Sequence, residues 1–241
     1  MNKIIIFSDG SSRGNPGPGG FASVICFGEN DLTNVIELGG SEKNTTNNRM
    51  ELTGAVEAFE ELKKRKINGS VILYSDSSYV IKGISSWIKG WEANDWRTKD
   101  KKDVLNKDLW QRLTQVSSGF DVSWKVISGH VGIPGNERCD EIATSYATGE
   151  TPVLFDGPMS EYKIPILDLS ADQSKVEDKK SKSGKSGKAY SYISLVDGEI
   201  KIHKTWSECE ARVKGKSNVR FKKSMSKIDE EKIVEDFTKR R

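Results

Sequence analysis

Asp9 and Asp76 each follow a short apolar run, Ile4-Ile5-Ile6-Phe7 and Val71-Ile72-Leu73-Tyr74. At such positions side chains emerge from an open α/β sheet into the crevice at the carboxyl ends of its strands. Glu51 lies between Met50 and Leu52 at the margin of a helical apolar stripe, and Asp140 falls in the first turn of a later helical pattern. Taken singly, each has a plain reading as a turn residue, a solvated glutamate or an acid favoured by a helix dipole. Brought together, the four carboxylates would repel one another unless cations lay between them, and oxygen ligands without thiolates select Mg²⁺ or Mn²⁺. Two such ions about 3.5 to 4 Å apart clamp the attacking and leaving oxygens of an in-line phosphodiester displacement. The chemistry open to this set is therefore phosphoryl transfer.

The elements that must position these acids are legible in the periodicity. Residues 3–9 and 21–28 are β-branched and apolar, separated by Ser11 to Gly20, a segment dense in turn formers; they predict two hairpin-connected strands, with a third near 34–40. Leu52, Ala55, Phe59 and Leu62 form the stripe of an amphipathic helix over 47–64, which Asn47 or Asn48 can cap. The run at 71–74 reads as a buried parallel strand and 121–128 as another. A Gly/Pro loop then leads to a helix with Cys139, Ile142, Ala143 and Tyr146 on one face. Antiparallel strands followed by βα units predict an α/β mixed sheet with helices on it.

At 241 residues the chain has room for one domain of roughly 150 residues and something smaller. Residues 1–170 carry 19 Lys and Arg against 23 Asp and Glu, whereas residues 171–241 carry 19 against 12. A basic tail can hold a polyphosphate; an acidic front half needs a reason to approach one, and metal-binding carboxylates supply it. Cys26, Cys139 and Cys209 are widely spaced, which argues against a disulfide framework or a zinc site and for a reducing compartment. The N-terminal apolar run is too short for a signal segment or membrane span, so a soluble, cytoplasmic protein is expected. Asp178 to Lys188 is a low-complexity basic stretch, read as the centre of a linker over 149–188. Beyond it, 190–196 and 199–204 predict a hairpin across Asp197-Gly198, and helical patterns at 206–213 and 226–237 flank a strand-like 218–222. Together these make a small αβ domain over 189–237.

Four spaced blocks, Asp9 to Gly20, Thr46 to Glu51, Ser75 to Val80, and Gly129-His130 with Asn136 to Asp140, resemble in order the motif blocks of type 1 ribonucleases H, over residues 1–148. The resemblance implies a ribonuclease H-like mixed five-stranded sheet with flanking helices. It also implies endonucleolytic hydrolysis of the RNA strand of RNA/DNA hybrids, leaving 3′-hydroxyl and 5′-phosphate ends, with two Mg²⁺ ions and Mn²⁺ as the alternative metal. By it Asp9, Glu51, Asp76 and Asp140 bind metal, with Asp9 bridging. His130 is then an auxiliary catalytic residue on a Gly-flanked loop, suited to proton transfer or product release. Asn15, Asn47, Asn48 and Ser78 would line the hybrid's minor groove, where the 2′-OH distinguishes RNA from DNA. Thr46 and Arg49 would contact a DNA-strand phosphate. Residues 81–113, with Trp87, Trp91 and Trp96 and the cluster Lys99, Lys101 and Lys102, look like the family's basic protrusion, which grips the DNA strand. Trp87 and Trp91 also read simply as the core of a helical handle.

Residues 189–237 resemble the small hybrid-binding, viroplasmin-like domain of eukaryotic ribonucleases H through Lys204 to Cys209 and Val219 to Lys223, although there the module precedes the nuclease. The resemblance implies that Trp206 and Phe221 stack on the DNA strand and that Lys222 and Lys223 meet phosphates, raising affinity from the end of a linker. The plainer alternative makes both aromatics domain core. Double-stranded RNA is a second ligand for such a module, and a monomer is expected. Two rivals remain: an integrase, transposase or junction resolvase on the same sheet, and a non-catalytic hybrid-binding protein. The block Thr46 to Glu51 and the basic handle speak against the first; the complete carboxylate set speaks against the second.

Overall fold

The computed structural model describes residues 2–29, 31–98, 100–171, 189–216 and 219–239. The chain divides into two compact units, Met1–Lys175 and Val176–Arg241. In the first, β1 (Lys3–Ser12), β2 (Gly17–Gly28) and β3 (Asn34–Thr45) form an antiparallel meander, followed by α1 (Asn47–Lys64) and β4 (Ser70–Ser75). The chain continues through α2 (Ser78–Lys82), a π-helical turn at Gly83–Trp87, α3 (Ile88–Glu92), α4 (Lys107–Ser117), β5 (Asp121–Val126) and α5 (Pro134–Ala147). A sixth strand, β6 (Asp156–Pro158), completes the sheet, whose order is β5-β4-β1-β2-β3-β6, with β4 parallel to both β1 and β5.

Successive side chains of a strand point to opposite faces. Ile4 and Ile6 accordingly join Leu52, Phe59 and Leu62 of α1 in the main core, while Phe7 lies under α5 against Gly135. Covered on both faces, β1 is apolar without alternation from Ile4 to Phe7 and fully buried apart from a trace at Ile5. No helix among the described residues is long and apolar enough to cross a membrane.

The five expected strands are present, and β1 to β3 run longer than their apolar patterns because the ladder continues through the glycine-rich start of β2 and the polar ends of β1 and β3. The additional strand, β6, pairs with the edge of β3. The sequence reading assigns residues 149–188 to a linker; the described portion instead begins as a strap on the first unit, and residues 172–188 lie outside the described set. Burial explains the difference. Glu37 of β3 has a side chain only 1% exposed, and its carboxylate accepts from Arg138 Nε and Nη2 at 2.7 and 2.9 Å, the Phe155 amide at 2.9 Å and the Tyr162 hydroxyl at 2.6 Å. Arg65, at the end of α1, makes two further bonds to Asp156 at 3.2 and 2.6 Å. These partners lie about a hundred positions apart, so no local pattern reports them.

Burial opposes ionisation of Glu37, but the bonds from Arg138, Tyr162 and Phe155 outweigh it and hold its pKa below the ordinary range. A depressed acid contributes stability above its unfolded pKa, about 4.3, that is lost as pH falls through the lower folded value. Thermal melts from about pH 5 down to pH 3 should therefore show wild type losing stability faster than Glu37→Gln, the two converging at the acid end. Parallel profiles would contradict this account of the strap.

The second unit is a three-stranded antiparallel sheet in the order β8-β7-β9, built from β7 (Ser191–Val196), β8 (Glu199–His203) and β9 (Arg220–Ser224). Asp197 and Gly198 at the hairpin tip both have positive φ, 51° and 78°, as a primed two-residue turn requires. Helix α6 (Trp206–Val213) buries Cys209 and Val213 with Val196 on one face; α7 (Lys227–Lys239) buries Ile233 and Phe237 with Ile193 and Leu195 on the other.

Candidate active site

Strands β1 and β4 are parallel and in register at Phe7 and Tyr74, whose rings stack with centroids 5.3 Å apart. Asp9 and Asp76 each lie two residues past that pair and so reach the same end of the sheet. Glu51 joins them because Gly10 lacks a side chain: a Cβ there would lie 2.2 Å from the Glu51 backbone nitrogen. One ligand oxygen from each of Asp9, Glu51 and Asp76 falls within 4.8 Å of the others. Asp9 Oδ1 accepts from the Gly10 amide at 2.7 Å, Glu51 Oε1 from Asn47 Nδ2 at 3.1 Å, and Asp76 Oδ2 from Asn136 Nδ2 at 3.2 Å. Glu51 Oε2 is buried without a hydrogen-bond partner.

Burial and then repulsion from Asp76 push the Asp9 pKa up to about 8, against the pull of the Gly10 amide. Burial, Asp9 and Asp76 likewise raise Glu51 well above the usual carboxylate range, with only Asn47 opposing among its side-chain contacts. Acids gathered at such cost, with a buried oxygen left unpaired and only oxygen donors, fit a hard divalent cation.

Asp140 stands on α5 outside this tight trio, its side chain 41% exposed, yet close enough to raise both Asp9 and Glu51. His130 is exposed at φ +54° on the preceding loop, its Nδ1 3.9 Å from Asp140 Oδ2. That loop passes tightly over Asp76, since a Cβ on Gly129 would lie 2.0 Å from Asp76 Oδ2. Sequence reasoning gives Asn136 no role of its own; the structure buries it with its amide on Asp76.

Around the acids, Asn15 is exposed in the β1–β2 turn, Asn47 and Asn48 at the start of α1, and Ser78 at the start of α2. The cap of α1 is Thr46, not Asn47 or Asn48: its backbone is extended and its hydroxyl accepts from the Arg49 amide at 3.4 Å. Arg49 makes a two-pronged bond to Asp108 at 3.1 and 2.8 Å and lies 3.5 Å from Asn106 Oδ1, so its charge is partly countered before any phosphate arrives. Asn106, absent from the sequence-based set, is in the left-handed region at φ +60° and donates to the Tyr79 hydroxyl at 3.1 Å. Its signal in sequence is weak: asparagine tolerates that conformation better than most residues.

In the handle, Trp91 touches Trp87, Trp96 and Trp110 with centroids 5.6, 6.2 and 5.6 Å away. Trp110 is fully buried and Trp87 lies at the solvent end of the stack, while Lys101 and Lys102 are exposed. Lys99 lies outside the described residues.

In the second unit Tyr192, Trp206 and Phe221 form an aromatic row with centroids 5.6 and 5.4 Å apart. Lys223 pairs with Tyr192 across the ladder and shares its face, whereas Lys222 pairs with Ile193 on the opposite face and lies 3.5 Å from Asp236 of α7. The adjacent lysines therefore project from opposite faces of the sheet.

A mixed sheet with acids gathered at the carboxyl ends of its central parallel strands offers the oxygen ligands that metal-assisted phosphoryl transfer requires. The chain belongs to the RNase H family, whose profile matches residues 1–148, and with that membership it is a hydrolytic ribonuclease. Ribonuclease H of Cupriavidus pinatubonensis is 49% identical over 143 residues, covering 59% of this chain and 94% of the relative. Ribonuclease H of Bradyrhizobium diazoefficiens is 48% identical over 140 residues, covering 58% and 86%. Among solved structures, LC9-RNase H1, described as a type 1 RNase H with the type 2 active-site motif, matches with TM-score 0.58 at 30% identity, over 65% of this chain and 78% of that one. The PFV RNase H domain shares the fold, with TM-score 0.52 at 21% identity over 63% and 98%.

Proposed function

We propose that the protein hydrolyses the RNA strand of RNA/DNA hybrids, using divalent cations held by Asp9, Glu51, Asp76 and Asp140. The observation that carries this reading is the trio of Asp9, Glu51 and Asp76, with ligand oxygens within 4.8 Å of one another and a buried Glu51 oxygen left unpaired. Two Mg²⁺ ions there would activate water against the scissile phosphate and offset charge on the departing 3′ oxygen, giving 3′-hydroxyl and 5′-phosphate ends. The chain's own groups prepare that site. Asn47 and Asn136 each orient one carboxylate, and the second Glu51 oxygen is left unpaired. His130, exposed beside Asp140, can take up or release a proton at its imidazole. Asn15, Asn48 and Ser78 offer amides and a hydroxyl for the 2′-OH and base edges. Trp87, Lys101 and Lys102 of the handle face solvent where a DNA strand can lie. A labelled-RNA hybrid cut only with Mg²⁺ present, beside uncut duplex DNA and single-stranded RNA, is the expected result; equal cleavage of duplex DNA would favour a resolvase-like enzyme.

The second unit adds affinity through the α6 side of its sheet. In the full chain made inert by Asp9→Asn, Trp206→Ala or Phe221→Ala should each weaken hybrid binding about tenfold, at ~1 to 3 kcal/mol per stacked base. Lys223→Ala should lower the slope of log affinity against log salt by about one phosphate's worth, and Lys222→Ala should scarcely change it. Fluorescence anisotropy across salt concentrations, with double-stranded RNA as competitor, reads all four. Equal effects of the two lysines would refute the assigned face.

A further inference from the structure

Helix α5 lies on the sheet through missing side chains. A Cβ on Gly20 would sit 2.2 Å from the Ala143 carbonyl, one on Gly39 2.5 Å from the Tyr146 ring, and one on Gly135 2.6 Å from the Phe7 ring. Such contacts set how near the helix comes, and bonds from side chains on its flanks help to fix its rotation about its own axis. Successive helical residues turn by about 100°, so Arg138 and Asp140 project from opposite flanks.

The Arg138 flank is clamped by its two bonds to buried Glu37, which the Phe155 amide and Tyr162 hydroxyl complete. On the Asp140 flank Asn136 Nδ2 donates to Asp76 Oδ2 at 3.2 Å and Thr144 Oγ1 to Ser11 Oγ at 3.3 Å, but Asp140 itself is 41% exposed and His130 Nδ1 at 3.9 Å is too far for a hydrogen bond. How near Asp140 stands to the acids of the sheet thus depends on the rotation of α5, which Arg138 holds from one flank and Asn136 and Thr144 from the other.

We propose that Glu37, Phe155 and Tyr162 are positioning residues for the metal site, holding Arg138 and through it the rotation of α5 that delivers Asp140 to Asp9, Glu51 and Asp76. Phe155 and Tyr162 lie beyond the segment that matches the family, so the strap supplies part of the site's geometry from outside it. The proposal rests on Asp140 being a metal ligand.

The test is a double-mutant cycle in the full chain, read by the Mg²⁺ concentration that half-saturates thermal stabilisation and, separately, by kcat and KM for hybrid cleavage. Glu37→Gln should raise the half-saturating Mg²⁺ about tenfold and lower kcat at limiting metal, with KM for the hybrid unchanged. Tyr162→Phe, which keeps the Arg138–Glu37 pair, should shift it in the same direction by less and serves if Glu37→Gln folds poorly. In an Asp140→Asn background neither change should weaken metal binding further. Additive losses in that background, or lowered stability with an unchanged Mg²⁺ midpoint, would overturn the clamp. An Asp140→Asn variant with a wild-type Mg²⁺ midpoint would instead remove Asp140 from the metal set, and the proposal with it.

Discussion

Replacing Asp9 by Asn is expected to cost about a thousandfold or more in hybrid cleavage, roughly 4 kcal/mol of barrier, while making the metal-free protein more resistant to heat. Both effects follow from one geometry. Asp9 is 5% exposed, shares its pocket with Glu51 and Asp76, and has its pKa pushed up to about 8 by burial and by Asp76. An acid whose folded pKa lies above its unfolded value of about 3.9 destabilises the protein increasingly as pH rises between the two, and fully above the higher one. Metal-free wild type should thus lose melting temperature from about pH 4 to pH 8, and Asp9→Asn should flatten that decline and melt several degrees higher at neutral pH. Added Mg²⁺ should recover most for wild type at the alkaline end of the window. Near-wild-type activity, or a variant whose melting temperature tracks wild type at every pH, would defeat this account.

The second large effect is expected at Gly10. An added methyl would meet the Glu51 nitrogen at 2.2 Å and the Met50 carbonyl carbon at 2.4 Å, both backbone atoms that cannot rotate away. Gly10→Ala must push α1 off β1, at a cost of about 3 kcal/mol or more by overpacking alone, and the displacement carries Glu51 away from Asp9. Melting temperature and activity should fall together, and saturating Mg²⁺ should not restore cleavage. A stable, active Gly10→Ala protein would show that α1 can sit farther out than the structure places it.

The positions of Asp9 and Asp76 are legible in sequence because a buried parallel strand leaves a continuous apolar run, and the residue after such a run has one place to go. Glu51 and Asp140 needed their motif contexts, since helix periodicity says which face is apolar but not how a helix is rotated over a sheet; that Asp140 stands apart from the trio is visible only in the structure. Alternation along a strand is enough to separate Lys222 from Lys223, because neighbours in β9 must face opposite ways. Arg49 looks available for a phosphate in sequence, and its pairing with Asp108, 59 positions away, has no local signature. The strap is hidden for the same reason: Tyr162 and Phe155 meet a glutamate more than a hundred residues earlier.

The glutamate under the strap also defines how short a self-sufficient catalytic fragment can be. A fragment ended at residue 148, where similarity to the family stops, would keep every proposed metal ligand but strip the cover from a carboxylate and a guanidinium, leaving β3 as an uncapped edge open to association with another chain. Carrying the fragment on to about residue 170 retains the cover, so the natural unit for expression, crystallisation or transplantation is some twenty residues longer than homology alone would draw it.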